Sequence, residues 1–133
     1  KNMRVKKTYI AIVQGIVSEE MEFDEPILTI KGKTGAFSRI SPHGKSAITR
    51  IFPLMISGKK SLVKIEIDTG RTHQIRVHLS NAGFGIIGDE KYAKNSSKRM
   101  FLHAYELELL DLKFRAKIPN DFNVFGFEIG KEI

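Results

Sequence analysis

One stretch concentrates the side chains best able to do chemistry: Gly70-Arg71-Thr72-His73-Gln74-Ile75-Arg76-Val77-His78-Leu79. A glycine turn delivers Arg71, and a helix start then carries Thr72, His73, Gln74 and Arg76. Free amides and aligned peptide dipoles at a helix N-terminus attract anions. On a helical wheel His73, Arg76 and Ser80 fall near one another. An arginine held half-buried at position 76 requires a carboxylate or phosphate partner. The residues alone leave two readings open, an anion-binding site and a surface helix with solvated charges.

Other candidate sites are weaker. Gly32-Lys33-Thr34 has the end of a phosphate-binding loop, but that motif needs a glycine five residues earlier, where Ile27 stands, so a turn is expected. The four histidines show no metal-ligand spacing. His73 and His78 would point roughly 140° apart on a straight helix. No metal and no cofactor is expected. Lys91, Lys94, Lys98 and Arg99 form a basic cluster of the kind that meets an RNA backbone, or a solvated loop. His103 is expected to be a satisfied strand histidine, and Phe101, Tyr105 and Phe114 to be core.

The surrounding periodicity indicates what would position these groups. Residues 8–17 are rich in β-branched and aromatic types, with Tyr9, Ala11 and Val13 on one face and Ile10 and Ile12 on the other. A strand apolar on both faces belongs in the middle of a sheet. A short strand over 27–30, a turn at 31–35, a loop over 36–46 and a strand over 47–55 follow. A turn at 57–60 leads into 61–68, where Val63, Ile65 and Ile67 alternate with Lys64, Glu66 and Asp68. Beyond Gly70 the period changes. Ile75, His78, Leu79 and Ala82 make one helical stripe, which predicts a helix over 72–82 with Thr72 as N-cap and Gly83 closing the C-terminus. A loop over 84–99, strands over 101–110 and 112–118, and a weak helical signal in the last fourteen residues complete the chain. The fold class is α+β, a mixed, mainly antiparallel sheet with flanking helices.

The 133 residues suit one domain or a piece of one. With 22 Lys+Arg against 15 Asp+Glu, the formal charge of +7 favours a polyanionic partner without choosing among RNA, DNA and anionic membrane. There is no cysteine, which excludes disulfides and thiolate metal sites and fits a reducing, cytoplasmic compartment. No apolar run approaches the ~20 residues of a membrane span. The basic start, Lys1-Asn2-Met3-Arg4-Val5-Lys6-Lys7, leads into no signal-type apolar segment and does not begin with methionine.

The stretch from Thr69 to Leu79 resembles the most specific motif of RluA-like RNA pseudouridine synthases. Lys7-Thr8-Tyr9-Ile10-Ala11-Ile12-Val13-Gln14-Gly15 is similar to the family's K-x-Y-x-A-x-V-x-G strand. Gly44-Lys45-Ser46-Ala47-Ile48-Thr49 resembles its G-K-x-A-x-T segment. Ile87-Gly88-Asp89-Glu90-Lys91-Tyr92 is similar to its I-x-G-D-x-x-Y loop, and Leu102-His103-Ala104 to its L-H-A strand start. The five matches occur in the family's order. The resemblance implies isomerisation of uridine to pseudouridine in ribosomal or transfer RNA. The base is detached at N1, turned and rejoined through C5, which needs a carboxylate, a cation that orients it, and a group that manages the C5 proton. It implies Arg76 as the orienting cation, Tyr9 against the base, and Ile75 packing near it. Arg71 and His73 would shape the turn or touch RNA.

The family's carboxylate belongs to an H-R-L-D motif that has no counterpart here. Asp24, Asp68, Asp89, Asp111 and Asp121 all lack the right neighbours. In the family that motif lies upstream of the K-x-Y strand, so the chain is expected to be the C-terminal portion of a catalytic domain, inactive alone. Residues 8–17 would then expose an edge and favour self-association. Phe84-Gly85-Ile86 stands where the family commonly has His-Pro-Ile, which is expected to loosen that loop. A non-catalytic RNA-binding module on the same scaffold is the second reading, and a basic protein-interaction domain ranks far behind.

Overall fold

The computed structural model describes residues 5–129. Its strands are β1 (Val5–Gln14), β2 (Met21–Phe23), β3 (Ile27–Gly32), β4 (Gly35–Ile40), β5 (Thr49–Ser57), β6 (Lys60–Ile67), β7 (Leu102–Leu109) and β8 (Leu112–Arg115). One helix, α1 (Gln74–Asn81), and one 3₁₀ turn, Asn120–Phe122, complete the regular elements. Six strands form a sheet in the order β2-β5-β6-β1-β7-β8, while β3 and β4 form a separate hairpin. All these pairings are antiparallel. The expected α+β class is the one observed.

β1 is central, as its two apolar faces require. Tyr9 pairs with Ile65 on one side and Ala104 on the other. The expectation of an open edge at residues 8–17 is therefore overturned, because β6 and β7 saturate both sides of β1 within this chain. The sheet ends instead at β2 and β8. β2 covers only Thr49 to Ile51 of β5, so Pro53 sits where no strand lies beyond it and its missing N–H costs nothing. At the other edge every residue of β8 is exposed. Phe114 is 54% exposed there, beside Leu112 and Leu110, so it is not the core residue its aromatic character suggested.

Two cores back the sheet. On one face Ala11, Val13, Ile51, Val63, Ile65 and Ile86 meet Ile75 and Leu79 of α1. On the other, Ile10, Ile12 and Leu62 meet Phe101, Phe122 and Phe127. Full burial of one such side chain contributes about 2 kcal/mol. Tyr105 packs at the margin of this second core, and His103 Nε2 lies 3.0 Å from the Ala116 carbonyl oxygen.

Three elements differ locally from those expected. The segment 36–46 is not all loop, because β4 pairs with β3 from Ile27↔Ile40 to Gly32↔Gly35, with Lys33 and Thr34 as the turn. Its inward residue is polar, and Ser38 is satisfied by the Thr29 hydroxyl and the Thr72 carbonyl, so no apolar alternation announced it. α1 is shorter than 72–82, its N-cap is His73 rather than Thr72, and no side-chain hydroxyl caps it. β8 stops at Arg115, short of the expected 118. Of the weak helical signal near the C-terminus only the 3₁₀ turn is found, and residues 130–133 lie outside the described part.

Candidate active site

The turn that launches α1 is closed by Gln74. Its Oε1 accepts from the Arg71 amide (3.1 Å) and the Thr69 hydroxyl (2.8 Å), while its Nε2 donates to the Ile48 carbonyl (2.9 Å). This side chain holds the turn before the helix without capping its first amides. His73 takes the left-handed conformation (φ 56°) that the turn demands. At the far end Gly83 (φ 89°) terminates the helix as expected, its amide bonded to the Ser80 carbonyl.

The turn and helix open onto a cleft on the α1 face of the sheet. Tyr9, Arg71, His73, Ile75 and Arg76, the five residues singled out near the motif, all line it, together with Lys7, Ile67 and Leu102. Arg71 Nε donates to the Ser46 carbonyl (2.7 Å), which ties the cleft to the Gly44–Ser46 segment. A second groove, largely apolar, adjoins the cleft and shares Lys7 and Tyr9 with it before running along Leu107 and Phe114.

Arg76 has a carboxylate partner within the chain. Its Nε donates to Asp89 Oδ2 (3.1 Å) and its Nη2 to Asp89 Oδ1 (2.9 Å), a bidentate pair in which the aspartate side chain is fully buried. Asp89 Oδ1 also accepts from the Tyr92 amide (3.2 Å). The loop is shaped for this. Gly88 sits at φ 91°, and a side chain there would overlap the Arg99 carbonyl. Asn95 ties the Gly88 amide and the Ile86 carbonyl together. The loop also makes specific contacts at Phe84-Gly85-Ile86. Gln14 donates to the Gly85 carbonyl (2.8 Å), Val13 bridges Ile86, and a Cβ on Gly85 would lie 2.5 Å from that of Ala93.

Tyr92 gathers the polar face of α1. The Arg76 guanidinium carbon lies 5.0 Å from its ring centre, and Ser80 Oγ donates to its carbonyl (2.7 Å). Its hydroxyl accepts from the Ser38 amide (3.0 Å) and lies 2.7 Å from His73 Nδ1. Burial, then the cations of Arg76 and Lys91, hold His73 below its ordinary pKa. The Tyr92 hydroxyl thus bridges the Ser38 amide and the His73 ring, the direction of the second bond following the ring tautomer. The grouping of His73, Arg76 and Ser80 seen on the helical wheel is thus a grouping around one tyrosine. Asp89 and Tyr92 carry roles that sequence reasoning did not assign. The signal available was the requirement that Arg76 find an anion.

The basic cluster separates. Lys91 donates to the Ala36 carbonyl and stands 5.9 Å from the ring centres of both Phe37 and Tyr92. Lys94 and Lys98 are exposed. Arg99 pairs with Asp121 (3.2 Å) and lies over Phe101 and Phe122, on the sheet face opposite the cleft. Among the described residues no group of His, Asp and Glu could hold a metal ion, and no helix is long and apolar enough to cross a membrane.

Comparison with known proteins bears on the chemistry. The family described as RNA pseudouridylate synthase matches residues 1–81. An uncharacterized RNA pseudouridine synthase of Helicobacter pylori strain J99 is 52% identical over 93% of this chain and 52% of its own. Ribosomal large subunit pseudouridine synthase D of Borreliella burgdorferi is 36% identical over 94% of this chain and 41% of its own. The solved structure of human RNA Pseudouridylate Synthase Domain Containing 1 superposes with a TM-score of 0.71 at 27% identity, covering 90% of this chain and 56% of that one. The chain spans about half the length of the curated relatives it matches. With the matched residues running through β1, the hairpin and α1, the protein belongs to the RNA pseudouridylate synthase family.

Proposed function

We propose that this chain is the C-terminal portion of an enzyme that isomerises uridine to pseudouridine in structured ribosomal or transfer RNA, completed by an upstream segment that brings the catalytic aspartate. The observation that carries the reading is the convergence of Tyr9, Ile75 and Arg76 on one cleft. In this reading Tyr9 and Ile75 hold the base between them. Arg76 presents N–H groups left free by Asp89, those on Nη1 among them, to the incoming carboxylate or to a phosphate. Asp89, which accepts from Nε and Nη2, fixes the plane in which those N–H groups point. Arg71 steadies the turn, and the neutral His73 ring faces the RNA. Lys91, Lys94 and Lys98 lie on the loop that would meet the phosphate backbone.

Release of tritium from RNA labelled at uridine C5 tests this directly, because that C–H bond is broken when C5 joins the ribose. The chain alone should release none. The chain joined in frame to an upstream segment carrying H-R-L-D should release tritium and form pseudouridine. Release by the chain alone would refute the fragment reading, and silence of the joined protein would refute the activity.

A further inference from the structure

We propose that Phe37, at the exposed face of the β3–β4 hairpin, is a stacking platform for an RNA base neighbouring the one held in the cleft. The proposal rests on the reading of RNA as substrate and extends it to a second subsite. Phe37 is 45% exposed, although it stacks on Tyr92 with ring centres 5.3 Å apart and planes within 25°. Tyr92 in turn lies against the Arg76 guanidinium, 5.0 Å away. Tyr92 therefore links the cleft cation to an aromatic ring open to solvent.

The platform is rigid. Ser38, next to Phe37, is buried and bonded through its amide to Tyr92 and through its hydroxyl to the Thr72 carbonyl (2.8 Å). The hairpin thus docks on the residues that start α1. Ile30, the cross-strand partner of Phe37, is also about half exposed and widens the apolar surface.

Charge selects the occupant. From position 26 to 65 the sequence contains no acidic residue, and the hairpin itself carries Lys31, Lys33 and Arg39, with Lys91 beside the ring. An exposed aromatic on a hairpin that itself carries cations and no carboxylate suits a base with its phosphates, since stacking accepts any base face and the cations track the backbone. A protein partner matched to this patch would have to be strongly acidic.

The chain contains no tryptophan, so Phe37→Trp provides a single reporter at the platform. Its fluorescence should be quenched when an oligouridylate long enough to extend beyond the cleft binds at low salt, and unchanged by uridine monophosphate. Phe37→Ala should weaken oligouridylate binding about tenfold and leave mononucleotide binding unaltered. An unquenched tryptophan at saturation, or wild-type affinity in Phe37→Ala, overturns the proposal while leaving the RNA reading intact. Failure of the wild-type chain to bind any RNA overturns both. Loss of self-association in Phe37→Ala, seen by sedimentation with RNA affinity unchanged, makes the patch a protein contact and likewise overturns the proposal.

Discussion

Two arginine–carboxylate pairs in this molecule have nearly the same length and different consequences. Arg76 Nη2 stands 2.9 Å from Asp89, and Arg115 Nε stands 2.8 Å from Glu106. The first pair is bidentate, its aspartate side chain fully buried and its arginine 18% exposed. The second is a single contact at the β7–β8 edge with the arginine 61% exposed. Distance does not rank them. Burial does, because Asp89 is sealed from water and its loss of Arg76 cannot be made good by solvent, whereas Arg115 is wetted and solvent screens its pair with Glu106, itself 14% exposed.

The largest expected effect follows from removing one half of the buried pair. Arg76→Ala should lower stability by about 3 kcal/mol, a Tm drop of roughly 10 °C, because Asp89 is left buried and unpaired. The double variant Arg76→Met with Asp89→Leu should recover most of that stability in a thermal melt while leaving RNA binding impaired. A single variant as stable as wild type would mean Asp89 is not sealed. Next in size is the titration of His73, on the face shared with Arg76. Burial and two nearby cations favour its neutral form, so its NMR midpoint should lie below 6.5 and rise in Lys91→Gln. The sign follows from linkage. The unfolded chain takes up the proton first, so the contribution of His73 to stability is full above 6.5 and lost as pH falls below it. An unshifted midpoint would remove the cationic environment assigned to the cleft. The smallest effect is expected at the open pair. The hydrogen bond from Arg115 holds the Glu106 carboxyl below its ordinary range, so any stabilisation is present above 4.5 and fades as pH falls. Arg115→Ala should move the Tm by no more than a degree or two at neutral pH. A drop comparable to that of Arg76→Ala would erase the distinction between the pairs.

Much of this was legible in the residues. The apolar faces of β1, the alternation of β6 and the 75/78/79 stripe announced a central strand, a half-buried strand and a packed helix, since each repeats with the period of its backbone. The cleft residues were legible through their resemblance to family motifs. What escaped were pairings between distant segments with no period. Ser38 faces inward as a polar residue, so β4 read as loop. Asp89 meets Arg76 across the loop after α1, and nothing in its neighbours marks it as buried. Phe114 is aromatic but sits on an edge strand, where no second layer covers it.

The central position of β1 also sets the order in which this protein can assemble. Val5–Gln14 leaves the ribosome well before one of its two neighbours, Leu102–Leu109. The sheet therefore cannot close around β1 until the residues between them have been made, and contacts of such high sequence separation make folding slow. An apolar strand stays unpaired on one side for that interval. Until β7 arrives, β1 is the segment that a holding chaperone, or another nascent copy, would reach first.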